Sequence, residues 1–139
     1  MAFQITKALA AAFACDWYNA VDSHTPVQLL MERTVRSEFR VHFPGRDLRY
    51  DDFLAWYEND IHTHFDGRHR IHSMEIETTG DQAVVLLHIT WKARRWTPPA
   101  AYSEEVTLTP DVTMHIEACG EESKILLRSY HVADREAET

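Results

Sequence analysis

Asp22 and His69 are of residue types that can carry out acid–base chemistry without a metal. A carboxylate and an imidazole that face one cavity can remove a proton from carbon and return or relay it. Dehydration and double-bond isomerisation need only such a pair. The structural alternative is that Asp22 caps the turn before Thr25 and that His69 bonds to backbone at a strand start.

A second cluster of polar residues suggests a metal site, and its spacing argues against one. The cluster consists of His62, His64, Asp66, His69 and His72. His62 and His64 are two residues apart near a predicted helix end, which separates them by about 200° around the axis. His69 and His72 are three apart on a predicted strand, so they face opposite sides. We therefore predict no metal site and no cofactor.

Three helices are predicted in the first half of the chain. Apolar residues recur every four positions from Ile5 to Val21, which predicts one helix with a single apolar face. Thr25 and Pro26 indicate the start of a short second helix. A strand over 38–43 ends at Pro44-Gly45, and a third helix begins at Asp51 or Asp52 and ends at Asp66-Gly67.

The second half predicts strands over 70–78, 83–96, 103–118 and 124–132, with a kink, edge or bulge at Pro110. Helices followed by a run of antiparallel strands are typical of an α+β domain. The absence of a linker or repeat predicts one domain over residues 1–139.

The strand over 83–96 has two apolar faces. Its odd row, Val85, Leu87, Ile89 and Trp91, is predicted to face the helices, and its even row includes Val84 and Leu86. In a small domain only one sheet face meets the helices. We therefore predict that a second copy covers the outer face, which would make a homodimer.

This order of elements over residues 4–132 resembles the nuclear-transport-factor-2-like (NTF2-like) superfamily. The landmarks are Ala20-Val21-Asp22, the Pro44-Gly45 turn, and Gly80-Asp81-Gln82-Ala83. Arg68-His69 is similar to the Arg/Gln-His of the SnoaL-like and scytalone-dehydratase-like branch. The resemblance implies a cone: a curved, mostly antiparallel sheet and three helices of the N-terminal half that enclose a pocket.

The resemblance also implies roles for single residues. Asp22 falls where the dehydratase branch has an aspartate on its first helix, and His69 where it has a catalytic histidine. Leu87 stands where those enzymes have a second histidine. Trp17 and Phe43 replace the tyrosine and the aspartate base of ketosteroid isomerases, and a phenyl ring cannot move a proton. Residues predicted to line or back the pocket are Phe13, Trp17, Val21, Phe43, Phe53, Tyr57, Leu87, Ile89 and Trp91.

Two functions follow from this resemblance, because the superfamily contains enzymes and non-enzymatic binders. The first is a cofactor-independent lyase or isomerase, dehydratase- or cyclase-like, that acts on a small hydrophobic molecule with Asp22 and His69. The second is a non-catalytic binding module or accessory subunit. A further group, Trp91, Arg94, Arg95 and Trp96, either forms the pocket mouth or ends an exposed hairpin.

Composition excludes several partners. The formal net charge is −8 and the basic residues are spread along the chain, which argues against nucleic acid and anionic membranes. No stretch approaches the ~20 apolar residues of a membrane span. Cys15 and Cys119 fit no disulfide or metal-ligand spacing, so we predict two free thiols and a cytoplasmic protein.

Overall fold

The computed structural model describes residues 3–120 and 124–134. Residues 135–139, part of the single domain predicted for 1–139, lie outside the described residues. The elements in chain order are α1 (Lys7–Asp22), α2 (Val27–Met31), β1 (Arg40–Phe43), β2 (Arg46–Arg49), α3 (Tyr50–Thr63), β3 (His64–Thr79), β4 (Gln82–Arg95), β5 (Glu104–Leu108), β6 (Pro110–Cys119) and β7 (Lys124–Asp134).

Helix α1 begins at a side-chain cap and buries one face. The Thr6 hydroxyl accepts a hydrogen bond from the Leu9 backbone N–H at 3.1 Å, which satisfies one free donor of the first turn. The buried residues are Ala10, Phe13, Ala14, Trp17, Tyr18 and Ala20. Leu9, predicted to share this face, is 41% exposed. A repeat of four drifts about 40° per step at 3.6 residues per turn, so Leu9, two steps before Trp17, turns away from the face centred on Trp17.

The strands form one mixed sheet in the order β2-β1-β7-β6-β4-β3, and β5 pairs with the C-terminal part of β4. The pairing is antiparallel except between β1 and β7. This sheet and the three helices confirm the predicted α+β cone. Strand β2 was not predicted; Gly45, with φ +80°, makes the turn from β1 into it.

The predicted end of α3 at Asp66-Gly67 is wrong, because the helix stops at Thr63 and β3 begins at His64. Asp66 has φ +54° and lies in a bulge of β3. Phe65 pairs with Arg94 and Arg68 with Lys92, so β3 has one residue more than β4 between these two pairs. Left-handed backbone suits both a helix end and a bulge, and the sequence pattern alone did not separate them.

The odd row of β4 faces inward, as predicted. Val85, Leu87 and Ile89 are buried in a core that also contains the rings of Trp17 and Phe53. The predicted interruption at Pro110 is also present. The chain there changes from β5 to β6, so that the long predicted strand over 103–118 is two strands, each paired with a different part of β4.

The even row of β4 lies on the outer face of the sheet. Val84 is half-buried there and Leu86 is exposed. Within residues 3–120 and 124–134, no helix is long and apolar enough to cross a membrane.

Candidate active site

A cavity of about 390 Å³ lies between α1, α3 and the concave face of the sheet. Seven of the nine predicted pocket residues line it: Trp17, Val21, Phe43, Phe53, Tyr57, Ile89 and Trp91. Phe13 and Leu87 do not. Both are buried in the solid core instead, because Phe13 lies one helical turn before Trp17 and Leu87 lies deeper along β4 than Ile89. The sheet and helices meet closely there and leave no space.

Asp22 and His69 form a direct pair, although 47 positions separate them in sequence. Asp22 Oδ1 is 2.5 Å from His69 Nδ1, and Asp22 Oδ2 accepts the His69 backbone N–H at 2.8 Å. The last residue of α1 is thus bonded to β3 by both carboxylate oxygens. Since an ionised carboxylate only accepts, the hydrogen between the two side chains belongs to Nδ1, and Nε2 has no hydrogen-bond partner among the described residues.

Asp22 was expected to face the cavity, and the structure places it behind the imidazole instead. His69 lines the cavity, whereas Asp22 lines a depression on the other side of it, near the start of β3. The end of α1 explains this placement, because the carboxylate must reach the His69 backbone N–H as well as the ring. Asp22 can therefore orient and charge-stabilise His69, and His69 alone of this pair can contact a ligand in the cavity.

A second carboxylate–imidazole pair lines the same cavity and was not predicted. Asp60 Oδ1 lies 3.1 Å from His64 Nδ1. The Thr63 hydroxyl is 3.0 Å from the same nitrogen and donates to the Asn59 carbonyl at 3.1 Å. The spacing i, i+4 of Asp60 and His64, which places both on one side of the helix end, was the signal in the sequence.

The bulge in β3 explains why His64 and His69 both face inward. In a regular strand, residues five apart point to opposite faces. The extra residue at Asp66-Gly67 shifts the alternation by one, so both imidazoles reach the concave face. Both rings lie near the Trp91 indole, with centroid distances of 5.3 Å from His64 and 6.2 Å from His69.

Burial changes the proton affinity of Asp60. Desolvation raises the pKa of its carboxyl group, and nearby imidazoles, first His64, then His24 and His69, partly oppose this. The net direction is upward. Asp60 therefore keeps its proton to higher pH than an exposed aspartate does.

Two tyrosine hydroxyl groups open into the cavity. Tyr18 and Tyr130 are only 7% and 6% exposed, and both line the cavity. Neither hydroxyl has a hydrogen-bond partner among the described residues, where every fully buried side-chain N or O atom has one. Each hydroxyl must therefore reach open space, and the cavity provides it. Burial first, and then the charge of Asp22, raises the pKa of Tyr18, and burial raises that of Tyr130, so both remain donors.

Tyr18 also supports the first pair. Its ring packs against the His69 imidazole with a centroid distance of 4.5 Å. Tyr57 is different, since its hydroxyl donates to the Thr25 carbonyl at 2.7 Å. It therefore joins α3 to the turn after α1 and presents only its ring to the cavity.

Of the four residues predicted for the pocket mouth, two line the cavity and two do not. Trp91 and Arg95 line the cavity, and Arg95 pairs with Glu104 at 2.9 Å. Arg94 bonds instead to the Ser103 hydroxyl at 2.7 Å, and the Trp96 indole donates to the Ala100 carbonyl at 2.8 Å. Over the part of the chain that is described, no three His, Cys, Asp or Glu side chains converge as metal ligands.

The fold is found in many solved structures. An NTF2-like superfamily protein from Salmonella enterica serovar Typhimurium superposes with a TM-score of 0.75 and 13% identity, over 88% of this chain and 86% of that one. A protein from Novosphingobium aromaticivorans, provisionally named scytalone dehydratase, gives 0.75 and 12% over 90% and 80%. A ketosteroid isomerase-like protein from Erwinia carotovora atroseptica gives 0.71 and 15% over 94% and 98%.

No protein-family model and no curated protein matches the sequence. The superpositions show that the chain has the NTF2-like cone fold. At identities this low they show the fold alone. Function must be argued from the cavity.

Proposed function

We propose, with the NTF2-like fold as the premise, that this protein is a cofactor-independent lyase or isomerase acting on a small, hydrophobic, cyclic carbonyl compound. One observation carries the proposal: His69 lines an apolar cavity while its Nδ1 is bonded to Asp22. In this arrangement Nε2 is free to take a proton from a bound molecule.

His69 acts as the general base. It removes a proton from the carbon next to the carbonyl group, and the imidazolium that forms is stabilised by the Asp22 carboxylate behind it. The second bond of Asp22, to the His69 backbone N–H, fixes the ring relative to β3. A base that is already oriented loses little entropy when the substrate binds.

Tyr18 and Tyr130 supply donors for the carbonyl oxygen. When the carbon loses its proton, negative charge develops on that oxygen, and donors that already point into a site poor in water stabilise it. Two hydroxyls without a partner among the described residues suit this role. Their raised pKa values keep the phenols neutral over the range in which the enzyme would work.

The lining of the cavity indicates the substrate class. Rings of Trp17, Phe43, Phe53 and Trp56 form much of the wall, and the Phe43 and Trp56 centroids are 4.9 Å apart. Flat apolar walls with a few polar groups favour a ring-containing molecule of low polarity. The provisional dehydratase and ketosteroid isomerase-like names of two structural neighbours support this choice.

A non-catalytic binding module is the second candidate. The favouring observation is Leu87, which occupies the position of the expected second histidine and is buried in the core, so that no imidazole enters the cavity from there. The experiment that tests catalysis also tests this candidate.

Hydrogen exchange at carbon tests the proposal without knowledge of the natural substrate. The probe is 3-phenylcyclohexanone in D₂O, and NMR follows deuterium uptake at the carbons next to the carbonyl. We expect the wild-type protein to accelerate uptake and His69→Gln to lose about 10²-fold or more of that acceleration, the usual contribution of a general base.

His72→Gln is the matched control. His72 lies three residues further along β3 on the outer face, where its Nε2 is 2.6 Å from the Thr90 hydroxyl, and its replacement should leave the exchange unchanged. Binding of the probe without exchange would reject the enzyme and support the binding module. Equal rates in wild type and His69→Gln would remove His69 from the proposal.

We also propose that the outer sheet face pairs with a second copy of the chain. Along β3 that face changes from basic, at Arg68 and Arg70, to acidic, at Glu75 and Glu77, and the exposed Leu86 of β4 pairs with Glu75. A two-fold axis through this face would bring the basic end of one copy to the acidic end of the other, because the same patch is used twice.

Sedimentation tests the dimer. We expect a wild-type dimer and a monomeric Leu86→Glu variant, since a buried unpaired carboxylate would oppose association. Leu29→Glu, which places the same charge on exposed α2, should remain dimeric. A wild-type monomer would reject the interface.

A further inference from the structure

We propose that Asp60, which lies beside His64, is a second catalytic acid–base residue of this cavity, and that it gives its proton to the hydroxyl group that leaves when a β-hydroxy ketone is dehydrated. This inference rests on the proposed function, because it takes His69 as the base. It narrows the reaction to elimination of water, and it names the residue that protonates the leaving hydroxyl group.

The placement of Asp60 is the first argument. Its side chain is 23% exposed and lines the cavity from α3, whereas His69 lines it from β3. A substrate bound between helix and sheet can therefore contact both groups. Asp22 has no such access, since it lies behind His69.

The partners of Asp60 are the second argument. His64 Nδ1 contacts Asp60 Oδ1 at 3.1 Å and the Thr63 hydroxyl at 3.0 Å. Only Oδ1 is engaged by this imidazole, and no hydrogen bond to Oδ2 is found among the described residues. Because Asp60 lines the cavity, an oxygen of its side chain without a protein partner is available to a ligand hydroxyl.

The proton state is the third argument. Burial raises the pKa of the Asp60 carboxyl group, and the neighbouring imidazoles of His64, His24 and His69 oppose the shift only in part. A carboxyl group that keeps its proton to higher pH than an exposed aspartate is better suited to donate to a leaving hydroxyl.

The proposed step balances in atoms and electrons. His69 Nε2 takes the proton from the carbon next to the carbonyl, and the electron pair of that C–H bond forms the C=C bond. The C–O bond to the hydroxyl breaks as Asp60 transfers its proton to the leaving oxygen, and water departs. One proton then moves from His69 to Asp60, through solvent, to restore the starting state; no oxidant or reductant is needed.

Three probes separate the acid from the base. Loss of water from 3-hydroxy-5-phenylcyclohexanone, followed by enone absorbance, needs both groups. Loss of acetate from 3-acetoxy-5-phenylcyclohexanone needs the base but no proton on the leaving group. Deuterium uptake by 3-phenylcyclohexanone needs the base alone.

We expect Asp60→Asn to lower kcat for water loss by about 10²-fold or more, with KM changed less than about threefold. Acetate loss and deuterium uptake should stay within about threefold of wild type. A merely structural role of Asp60 would lower all three reactions together. Glu58→Gln removes an exposed carboxylate from the same helix and should leave all three rates unchanged.

Three results would overturn the inference while the proposed function stands. The first is an equal loss of all three reactions in Asp60→Asn, and the second is deuterium uptake by wild type with no faster loss of water than in buffer. The third is loss of water by Asp60→Asn at the wild-type rate. Wild type that shows no deuterium uptake would instead reject the proposed function, and the inference with it, before any variant is compared.

Discussion

The two carboxylate–imidazole pairs of the cavity are built in opposite ways. Asp22 and His69 are 47 positions apart, join α1 to β3, and place the carboxylate behind the ring. Asp60 and His64 are four apart, lie at the junction of α3 with β3, and both border the cavity. The first geometry holds the imidazole at the cavity wall with its carboxylate behind it, and the second places the carboxyl group itself at the cavity wall. The different roles that we propose for the same two residue types follow from which member faces the cavity.

The largest expected effect comes from Asp22→Asn. The amide has one acceptor oxygen for two His69 donors, so one N–H loses its partner. We expect deuterium uptake to fall about 10²-fold or more and the free energy of unfolding to fall by about 1–3 kcal/mol, measured by NMR and urea titration.

Asp47→Asn is the matched control for that comparison. Asp47 Oδ1 lies 2.6 Å from His42 Nδ1 in an exposed pair on the sheet, and exposed pairs contribute little. Both quantities should stay near wild type. If Asp22→Asn behaves like Asp47→Asn, the Asp22–His69 pair is not the oriented base that we describe.

A smaller effect is expected from Asp66→Val, which acts on the second pair through the bulge. Asp66 has φ +54°, and a β-branched residue there should cost about 1–2 kcal/mol of stability. The strain falls between His64 and His69, so we expect the ratio of water loss to deuterium uptake to fall several-fold. Asparagine tolerates this conformation, so Asp66→Asn should keep the wild-type stability and the wild-type ratio. An unchanged ratio in Asp66→Val would show that the bulge does not affect the reaction.

The smallest effect concerns the pH dependence of stability. Because burial raises the pKa of Asp60, the folded protein holds a proton there over a range in which the unfolded chain has released it. Wild-type stability from this group is therefore full at low pH and declines as pH rises through that range. The melting temperature of Asp60→Asn relative to wild type should be higher at pH 7 than at pH 4.

Other ionisable groups around Asp60 belong in that comparison. They are His24 in the turn after α1, His64 and His69 on β3, Tyr57 on α3 and Tyr130 on β7. All are present in both proteins, so the difference between the two melting curves reports the carboxyl group together with its interactions with these neighbours. A difference that does not vary with pH would contradict an upward shift.

The sequence predicted the first pair and missed the second for physical reasons. Asp22 and His69 were identified through a family resemblance, which records long-range contacts that no local rule gives. The inward row of β4 was predictable because alternation is regular there. His64 was not, since its side depends on one extra residue in β3, and Asp66-Gly67 equally suits a helix end. The position of Asp22 behind the ring depends on both oxygens being used, which side-chain type alone does not specify.

The bulge at residues 66–67 also determines where β3 can lose one residue without turning its inward side chains outward. His64 and His69 are five positions apart, and loss of one codon here would leave them four apart in a regular strand, with both rings still inside. Loss of one codon within 74–77 would instead invert the facing of every residue on one side of the gap. We therefore expect natural variants of this protein to show one-residue deletions at 66–67 and to lack them within 74–77.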